Sequence, residues 1–287
     1  MLGGCHVALL SLSVLWLSID GNQHLEPRVV FSLTTIKKRI KLIKPVVEKI
    51  VEGQRRPPDV VYLAVPPEVK TLPKWLRKYN ETSSRPGVLK VLHMASDYGP
   101  ASKLLAALAE GEERSLDTLI IYGDDDVIYS DLVVEQHLEA QLSASQPSAF
   151  GTRLIGLGEG KRREKILEAT GTISVRASQV PESVFRIHSM PPSCRLSDDY
   201  WISRHLTQAG LQLQLLPRCE YNFHLGVWPA SCGQPYHTVR DIQHVEALSE
   251  TVLTADGKEA RRSGGDWRAQ LNRYTACQQF LNARNEL

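Results

Sequence analysis

Three adjacent aspartates, Asp124-Asp125-Asp126, follow closely on Thr118-Leu119-Ile120-Ile121-Tyr122, an apolar run with the length and composition of a buried strand. Open α/β sheets bind ligands outside the C-terminal ends of their strands, so these carboxylates stand where a ligand would be met. Adjacent negative charges repel, and such a cluster costs free energy unless a cation offsets it. Hard carboxylate oxygens suit Mg2+ or Mn2+ rather than zinc. The competing reading is a solvated acidic turn ahead of a helix from Ser130, since acids favour helix N-termini. The buried strand just before the triplet favours the ligand site.

A second acidic focus is Ser197-Asp198-Asp199-Tyr200-Trp201-Ile202, whose Ser-Asp start suits a helix N-terminus. A carboxylate ionised at working pH and within hydrogen-bond reach can also take a proton from a hydroxyl. In Asp97-Tyr98-Gly99-Pro100-Ala101-Ser102-Lys103, Lys103 falls in a first helical turn and can meet phosphate as a point charge. Asp97 can accept a base or ribose hydrogen, or simply serve the turn before Gly99-Pro100. The segment from Gly156 to Arg163 is glycine-rich and basic, and reads either as a solvated loop or as one that closes over an anion. Its glycines do not lie between a strand and a helix, which excludes a dinucleotide fingerprint.

Strands and helices alternate along the chain to position these groups. Val29 to Leu33, Val60 to Val65, Val88 to His93 and Thr118 to Tyr122 read as buried strands. Between them lie a helical stripe from Ile40 to Val51, with Pro45 tolerable only near its first turn, and a helix from Pro100 to about Glu112. A helix from Ser130 to Leu142, strands at Ser148 to Thr152 and Ile173 to Arg176, a helix from Asp198 to Ala209 and a strand from Leu211 to Leu216 follow. This alternation predicts an α/β fold, a mostly parallel central sheet with helices on both faces.

With 287 residues, 42% of them hydrophobic, the chain can bury a real core. Its formal charge of +2, with basic residues scattered among acidic ones, gives no field for a nucleic-acid backbone, so nucleic acid is not an expected partner. The apolar stretch from His6 to Ile19 is the size of a signal-peptide core and short for a membrane span of ~20 residues. No Lys or Arg precedes it, so an uncleaved signal anchor and a buried first helix stay open beside cleavage near Gly21. Beyond this leader Cys194, Cys219, Cys232 and Cys277 remain, an even count that suits an oxidising compartment and leaves three pairings open. The sequon Asn80-Glu81-Thr82 and the retention-like tail Arg284-Asn285-Glu286-Leu287 agree with the secretory pathway, in the lumen of the endoplasmic reticulum or Golgi.

Tyr122-Gly123-Asp124-Asp125-Asp126-Val127-Ile128-Tyr129 resembles the DXD motif of GT-A glycosyltransferases, in the DDD form of fringe-like enzymes, and the resemblance spans Arg28 to His224. It implies a Rossmann-like GT-A domain over residues 28–225, which follows the signal peptide or anchor read over 1–21 and leaves a C-terminal extension over 226–287 expected to pack on the catalytic domain. It gives Asp124 and Asp126 the ribose and a Mn2+ or Mg2+ ion bridging the donor diphosphate, with Asp125 beside the nucleotide sugar. Ser32-Leu33-Thr34-Thr35-Ile36-Lys37-Lys38-Arg39 is similar to the start of the family's nucleoside pocket, with Thr34, Thr35 and Arg39 as candidates, and Asp97 to Lys103 resembles another nucleotide-pocket loop. Gly171-Thr172-Ile173 resembles the segment beside the donor sugar. Asp199 takes the place of the catalytic base of inverting members, with Asp198 its structural partner. These enzymes often complete the metal shell with a histidine; His224 is favoured over His237, against the plainer reading of a structural histidine. The implied activity is transfer from a UDP- or GDP-sugar to a glycan, glycoprotein or lipid hydroxyl. A sugar nucleotidyltransferase, and an inactive carbohydrate-binding protein of the same fold, are the alternatives.

Overall fold

Strand β1 (Arg28–Thr34) carries its apolar residues on both sides, because period-two alternation sends Val29, Phe31 and Leu33 into one core and Val30 into another. A computed structural model of the protein describes residues 26–109, 117–158, 163–169, 171–217 and 267–283, together with the backbone of 237–238, 251–253 and 259–261. The leader, the tail, His224, Cys219, Cys232 and residues 159–162 lie outside the described residues.

After β1 come α1 (Lys44–Val51), β2 (Val60–Val65), α2 (Lys74–Thr82) and β3 (Leu89–His93). A single 3-10 turn over Gly99–Ala101 leads into α3 (Ser102–Ala109), then β4 (Thr118–Gly123), β5 (Val127–Ile128) and α4 (Val133–Ser143). The rest comprises β6 (Ser148–Gly151), β7 (Leu154–Leu157), β8 (Glu164–Leu167), β9 (Thr172–Arg176), 3-10 helices over Ala177–Gln179 and Glu182–Ser189, α5 (Pro192–Arg195), α6 (Asp198–Gln208), β10 (Gln212–Leu215), β11 (His237–Thr238), β12 (Thr251–Leu253), β13 (Glu259–Arg261) and α7 (Trp267–Ala283).

Seven strands form one sheet in the order β10-β6-β9-β4-β1-β2-β3. Only β9 runs against the others, pairing antiparallel with β4 and with β6, so the sheet is mostly parallel as expected. The core on one face draws Leu104, Leu105 and Leu108 from α3, Trp201 and Leu206 from α6, and Tyr274 and Leu281 from α7. The other takes Val47 and Ile50 from α1, Leu76 from α2 and Val134 and Leu138 from α4. Among the described residues no helix is long and apolar enough to cross a membrane.

Three departures from the sequence pattern have local causes. The apolar stripe starts at Ile40, but helix α1 begins only at Lys44, because proline lacks an N–H and fits only the first turn. Residues 36–42 turn instead, with Arg39 and Ile40 both donating N–H to the Ile36 carbonyl. Helix α4 starts three residues after Ser130, whose hydroxyl accepts the Leu132 N–H at 3.1 Å and so competes with the helix. The flanks of the glycine-rich segment are strands rather than loop: β7 and β8 pair antiparallel, with Gly156 opposite Lys165. Helix α7 lies in the stretch expected only to be a C-terminal extension, and the Cys194–Cys277 bond, with Cα atoms 4.8 Å apart, ties it to α5.

Behind β9, His137 of α4 is buried with both ring nitrogens engaged, Nδ1 with Ser174 Oγ at 2.8 Å and Nε2 with Thr172 Oγ1 at 2.7 Å. Burial pushes its pKa down to about 3 from 6.5. The unfolded chain therefore takes up a proton below 6.5 that the folded chain refuses, and stability is lost as pH falls from 6.5 toward 3. Urea unfolding at pH 6.5 and 5.5 should show a loss of ~1 kcal/mol from this group, short of the ~1.4 kcal/mol limit per pH unit because half of the unfolded chains already carry the proton at pH 6.5. The slope should flatten in His137→Gln; an unchanged slope would remove His137 as its source.

Candidate functional site

Strand order reverses beside β1: the chain builds β2 and β3 on one side, then returns to place β4 on the other. Such a switch point leaves a crevice between the C-terminal ends of β1 and β4. Thr35 and Arg39 follow β1, and the aspartate triplet follows β4, so both meet at this crevice. Gly123, the last residue of β4, sits so close to the Tyr129 hydroxyl and the Gly171 carbonyl that a Cβ there would overlap both. The Tyr129 hydroxyl donates to the Asp124 carbonyl at 2.6 Å, which fixes the turn carrying the carboxylates.

The three acids have different surroundings. Asp124 and Asp126 present side chains that are 35% and 26% exposed, whereas Asp125 is 1% exposed. Arg39 reaches across from the turn before α1, placing Nη2 2.7 Å from Asp125 Oδ1 and Nη1 3.2 Å from Asp126 Oδ2. Burial raises the pKa of Asp125 to about 7; Arg39 opposes the rise, Asp126 adds to it, and the Thr35 hydroxyl opposes it.

Lys103 joins the two acidic foci. Its side chain is 3% exposed, and Nζ lies 3.0 Å from Asp124 Oδ1 and 2.9 Å from Asp198 Oδ2. Burial works against its charge, but Asp124, Asp198 and Asp199 more than offset that and hold its pKa well above the usual lysine value. The lysine is thus an internal counter-ion between two carboxylates rather than an exposed point charge.

Asp199, one residue on, turns elsewhere. Oδ1 accepts the Ala169 N–H at 3.2 Å, and Oδ2 lies 3.3 Å from the Tyr274 hydroxyl. Burial, then the Asp198 charge, pushes its carboxyl well above the usual range, with Lys103 pulling the other way.

Of the residues singled out in the sequence, Thr35, Arg39, Lys103, Asp124, Asp125, Asp126, Gly171, Asp198 and Asp199 are brought together. Thr34 points its hydroxyl at the Ala64 carbonyl, 3.4 Å away, and Asp97 is exposed and accepts the Gly99 N–H at 2.7 Å. That bond supports a turn in which Gly99 has a φ of 62°, so Asp97 does the turn duty open to it from sequence. The chain returns at β11, where His237 pairs in backbone register with Ile128, two residues after the triplet. Sequence reasoning missed Glu168, Arg153, Gln270 and Tyr274, which gather around Asp199. Of these only Tyr274 carried a signal, its position three residues before Cys277.

Among the described residues no three His, Cys, Asp or Glu side chains converge on a metal position. The half-exposed carboxylates of Asp124 and Asp126 nevertheless fit a hard cation that enters with phosphate, because Mg2+ is commonly held by one or two carboxylates with substrate phosphates and water completing its shell.

The chain matches no known family profile and no curated protein. Solved structures resemble it at low identity. One is a 4-diphosphocytidyl-2C-methyl-D-erythritol synthase, 12% identical, with a TM-score of 0.42 over 77% of this chain and 99% of that one. The 2-C-methyl-D-erythritol 4-phosphate cytidylyltransferase of Francisella tularensis is 10% identical, with a TM-score of 0.43 over 77% and 99%. A mannosyltransferase from Pyrobaculum calidifontis, solved with GDP-Man and Mn2+, is 15% identical, with a TM-score of 0.44 over 90% and 76%. At such scores the likeness is one of outline and assigns no activity to this chain.

Removing one member of a buried ion pair leaves the other uncompensated, which typically costs ~3–5 kcal/mol. Lys103→Met should destabilise by about that amount in urea titration. Asp198→Asn in the same chain should restore part of the loss, giving a coupling of roughly 0.5–3 kcal/mol. Strict additivity of the two substitutions would show that Lys103 and Asp198 do not act as a pair.

Proposed function

We propose that this chain is a metal-dependent glycosyltransferase that moves a sugar from a nucleoside-diphosphate sugar to a hydroxyl acceptor with inversion at the anomeric carbon. The observation that carries this reading is the Lys103 bridge, which brings the acids at the end of β4 against the helix that bears Asp198 and Asp199. An inverting displacement needs a phosphate-facing acidic site and a base on opposite sides of one sugar, and the meeting of two acidic segments from separate elements supports that reading.

In this reading Asp124 and Asp126 face the ribose and the cation, and Thr35 and Arg39 form the wall toward the nucleoside. Gly171, packed against Gly123 with no side chain of its own, borders the donor sugar. A bound Mn2+ or Mg2+ would offset the negative charge that builds on the departing nucleoside diphosphate. Asp199 takes the acceptor proton. Two donors orient its carboxylate, and each carboxylate oxygen has two lone pairs, so capacity for a substrate hydroxyl remains.

For the metal shell the favoured histidine is His224, with His237, whose backbone pairs with Ile128, as the alternative. The donor is a UDP- or GDP-sugar and the acceptor a glycan, glycoprotein or lipid. The Cys194–Cys277 bond supports action in the secretory lumen, where thiols oxidise.

Incubation with a panel of nucleotide sugars and Mn2+ should release free nucleoside diphosphate. Asp126→Ala should abolish the metal-stimulated part while the protein stays folded, and Asp199→Asn should lower kcat by about 10²–10⁴, the usual contribution of a positioned base. Pyrophosphate as product would instead make the chain a sugar nucleotidyltransferase, and binding without turnover an inactive carbohydrate-binding protein. A product that keeps the donor's anomeric configuration would exclude Asp199 as an inverting base.

A further inference from the structure

Beside α6 lies a cavity of about 740 Å3 that the proposed transfer leaves unassigned, a size within the ~300–1,000 Å3 usual for ligand pockets. Its walls are the start of β8, the helix face bearing Tyr200, Arg204 and Thr207, and residues 211–214 around the start of β10. Leu211 and Leu213 line it together with Gln212 and Gln214, although neighbouring side chains of a strand point to opposite faces. The cavity therefore runs along the edge of β10 and not over one face of the sheet.

Strand β10 ends the order of the seven-stranded sheet, and among the described residues β6 alone pairs with it. Gln212 and Leu216 donate N–H at 2.9 Å to the Pro147 and Gly151 carbonyls at the two ends of β6. In such a ladder alternate residues bond to the same neighbour, so Leu213, out of phase with them, turns its N–H and C=O outward. Exposed edges are usually blunted by charge or proline, and Leu211-Gln212-Leu213-Gln214-Leu215-Leu216 has neither.

A second wall is basic. Arg163, Lys165 and Arg204 line the cavity with one acid, Glu164. Arg204 is already engaged: Nη1 donates to the Tyr200 hydroxyl at 2.6 Å, Nη2 to Asn282 Oδ1 at 2.9 Å, and Glu164 Oε1 lies 3.7 Å away. Glu164 Oε2 accepts from the Tyr200 hydroxyl at 2.8 Å. Arg163 and Lys165 are exposed and have no ion-pair partner among the described residues. Gly156 of β7 leaves room for Arg163, whose side chain a Cβ there would overlap.

We propose that this slot binds an extended, acidic polypeptide segment, which adds as a strand to the edge of β10 and sets its carboxylates against Arg163 and Lys165. A peptide strand offers N–H and C=O groups at the ~3.3 Å rise that the edge repeats, and draws affinity from those bonds while its side chains supply specificity. A sugar chain has no such repeat, so the open edge favours a peptide. Pairing of two copies of this chain edge to edge would bring like charges of Arg163 and Lys165 together, which opposes it. Under the proposed transfer, on which this part rests, the segment is the acceptor. Tyr200 follows Asp199 directly in α6, and Thr207 lies roughly 12 Å from Asp199 along the helix at ~1.5 Å per residue, so a peptide in the slot starts beside the base.

Fluorescence anisotropy on the full chain tests the slot with a short labelled peptide in which valine alternates with glutamate around a central threonine. The peptide should bind, and Lys165→Glu should weaken it about tenfold, the scale of turning a cross-strand pair from opposite to like charge. N-methylation of one alternate set of peptide amides should abolish binding, because one set must face β10. The site is overturned by a peptide that does not bind, by binding that tolerates N-methylation of either set, or by binding that Lys165→Glu leaves unchanged. It is equally overturned by a sulfated oligosaccharide that the peptide fails to displace, or by a dimer in solution that Lys165→Glu strengthens and the peptide does not dissociate. Turnover reads the acceptor role separately: with the same peptide as acceptor, Lys165→Glu should raise the acceptor KM about tenfold and leave kcat and donor KM unchanged. Nucleoside diphosphate release without sugar on the bound peptide overturns the acceptor role. No release from any nucleotide sugar overturns the transferase reading and leaves the peptide site standing.

Discussion

The contact on which the site depends is a buried ammonium group held between two carboxylates from different parts of the chain. Lys103 enters from the start of α3, Asp124 from the end of β4 and Asp198 from the start of α6. A charge in the interior is tolerated only when it is paired, so the buried Lys103 and Asp198 are stable there only together, with the partly exposed Asp124 as the second partner of the lysine. That requirement fixes the separation between the two acidic foci far more tightly than the loops that carry them. Gly99 and Asp97 matter here indirectly, because their turn sets where the first residues of α3 begin.

Arg39 does the same work for the other two acids. With Asp125 buried and Asp126 half-exposed, one guanidinium spans both, as its planar fork allows and a lysine would not. The triplet is thus balanced in part by the protein's own cations, which makes an all-protein metal cage unnecessary. An incoming ion would offset the negative charge that Arg39 and Lys103 leave over and would bring phosphate charge with it. The repulsion among three adjacent aspartates, read from sequence as demanding a cation, is met partly by two basic side chains whose approach no local pattern shows.

The disulfide and α7 extend this logic to the back of Asp199. The C-terminal helix closes over Asp199 with Tyr274, while Glu168 and Arg153 come from the β7–β8 hairpin region. A segment that sequence reading treated as loop and a terminal stretch it treated as an extension together enclose the proposed base. Both were hard to read because their strands are short, four residues each, and because the helix stripe gains meaning only from what it covers.

What the sequence determined by itself was the sheet: buried strands announce themselves by unbroken apolar runs, and β2 falls on the residues that the run Val60 to Val65 marks out. It also placed the triplet at a strand end, since position after a buried run is a local property. Tertiary structure alone decided which acids face water, that Arg39 and Lys103 neutralise them, that Thr34 and Asp97 serve the backbone, and that Tyr274 meets Asp199. Apart from the local Asp97–Gly99 turn, these are contacts between residues at least 21 positions apart in the chain. Charge pairing at such separations leaves no periodic trace in sequence, because it depends on the direction in which each side chain leaves its element and not on the pattern within the element.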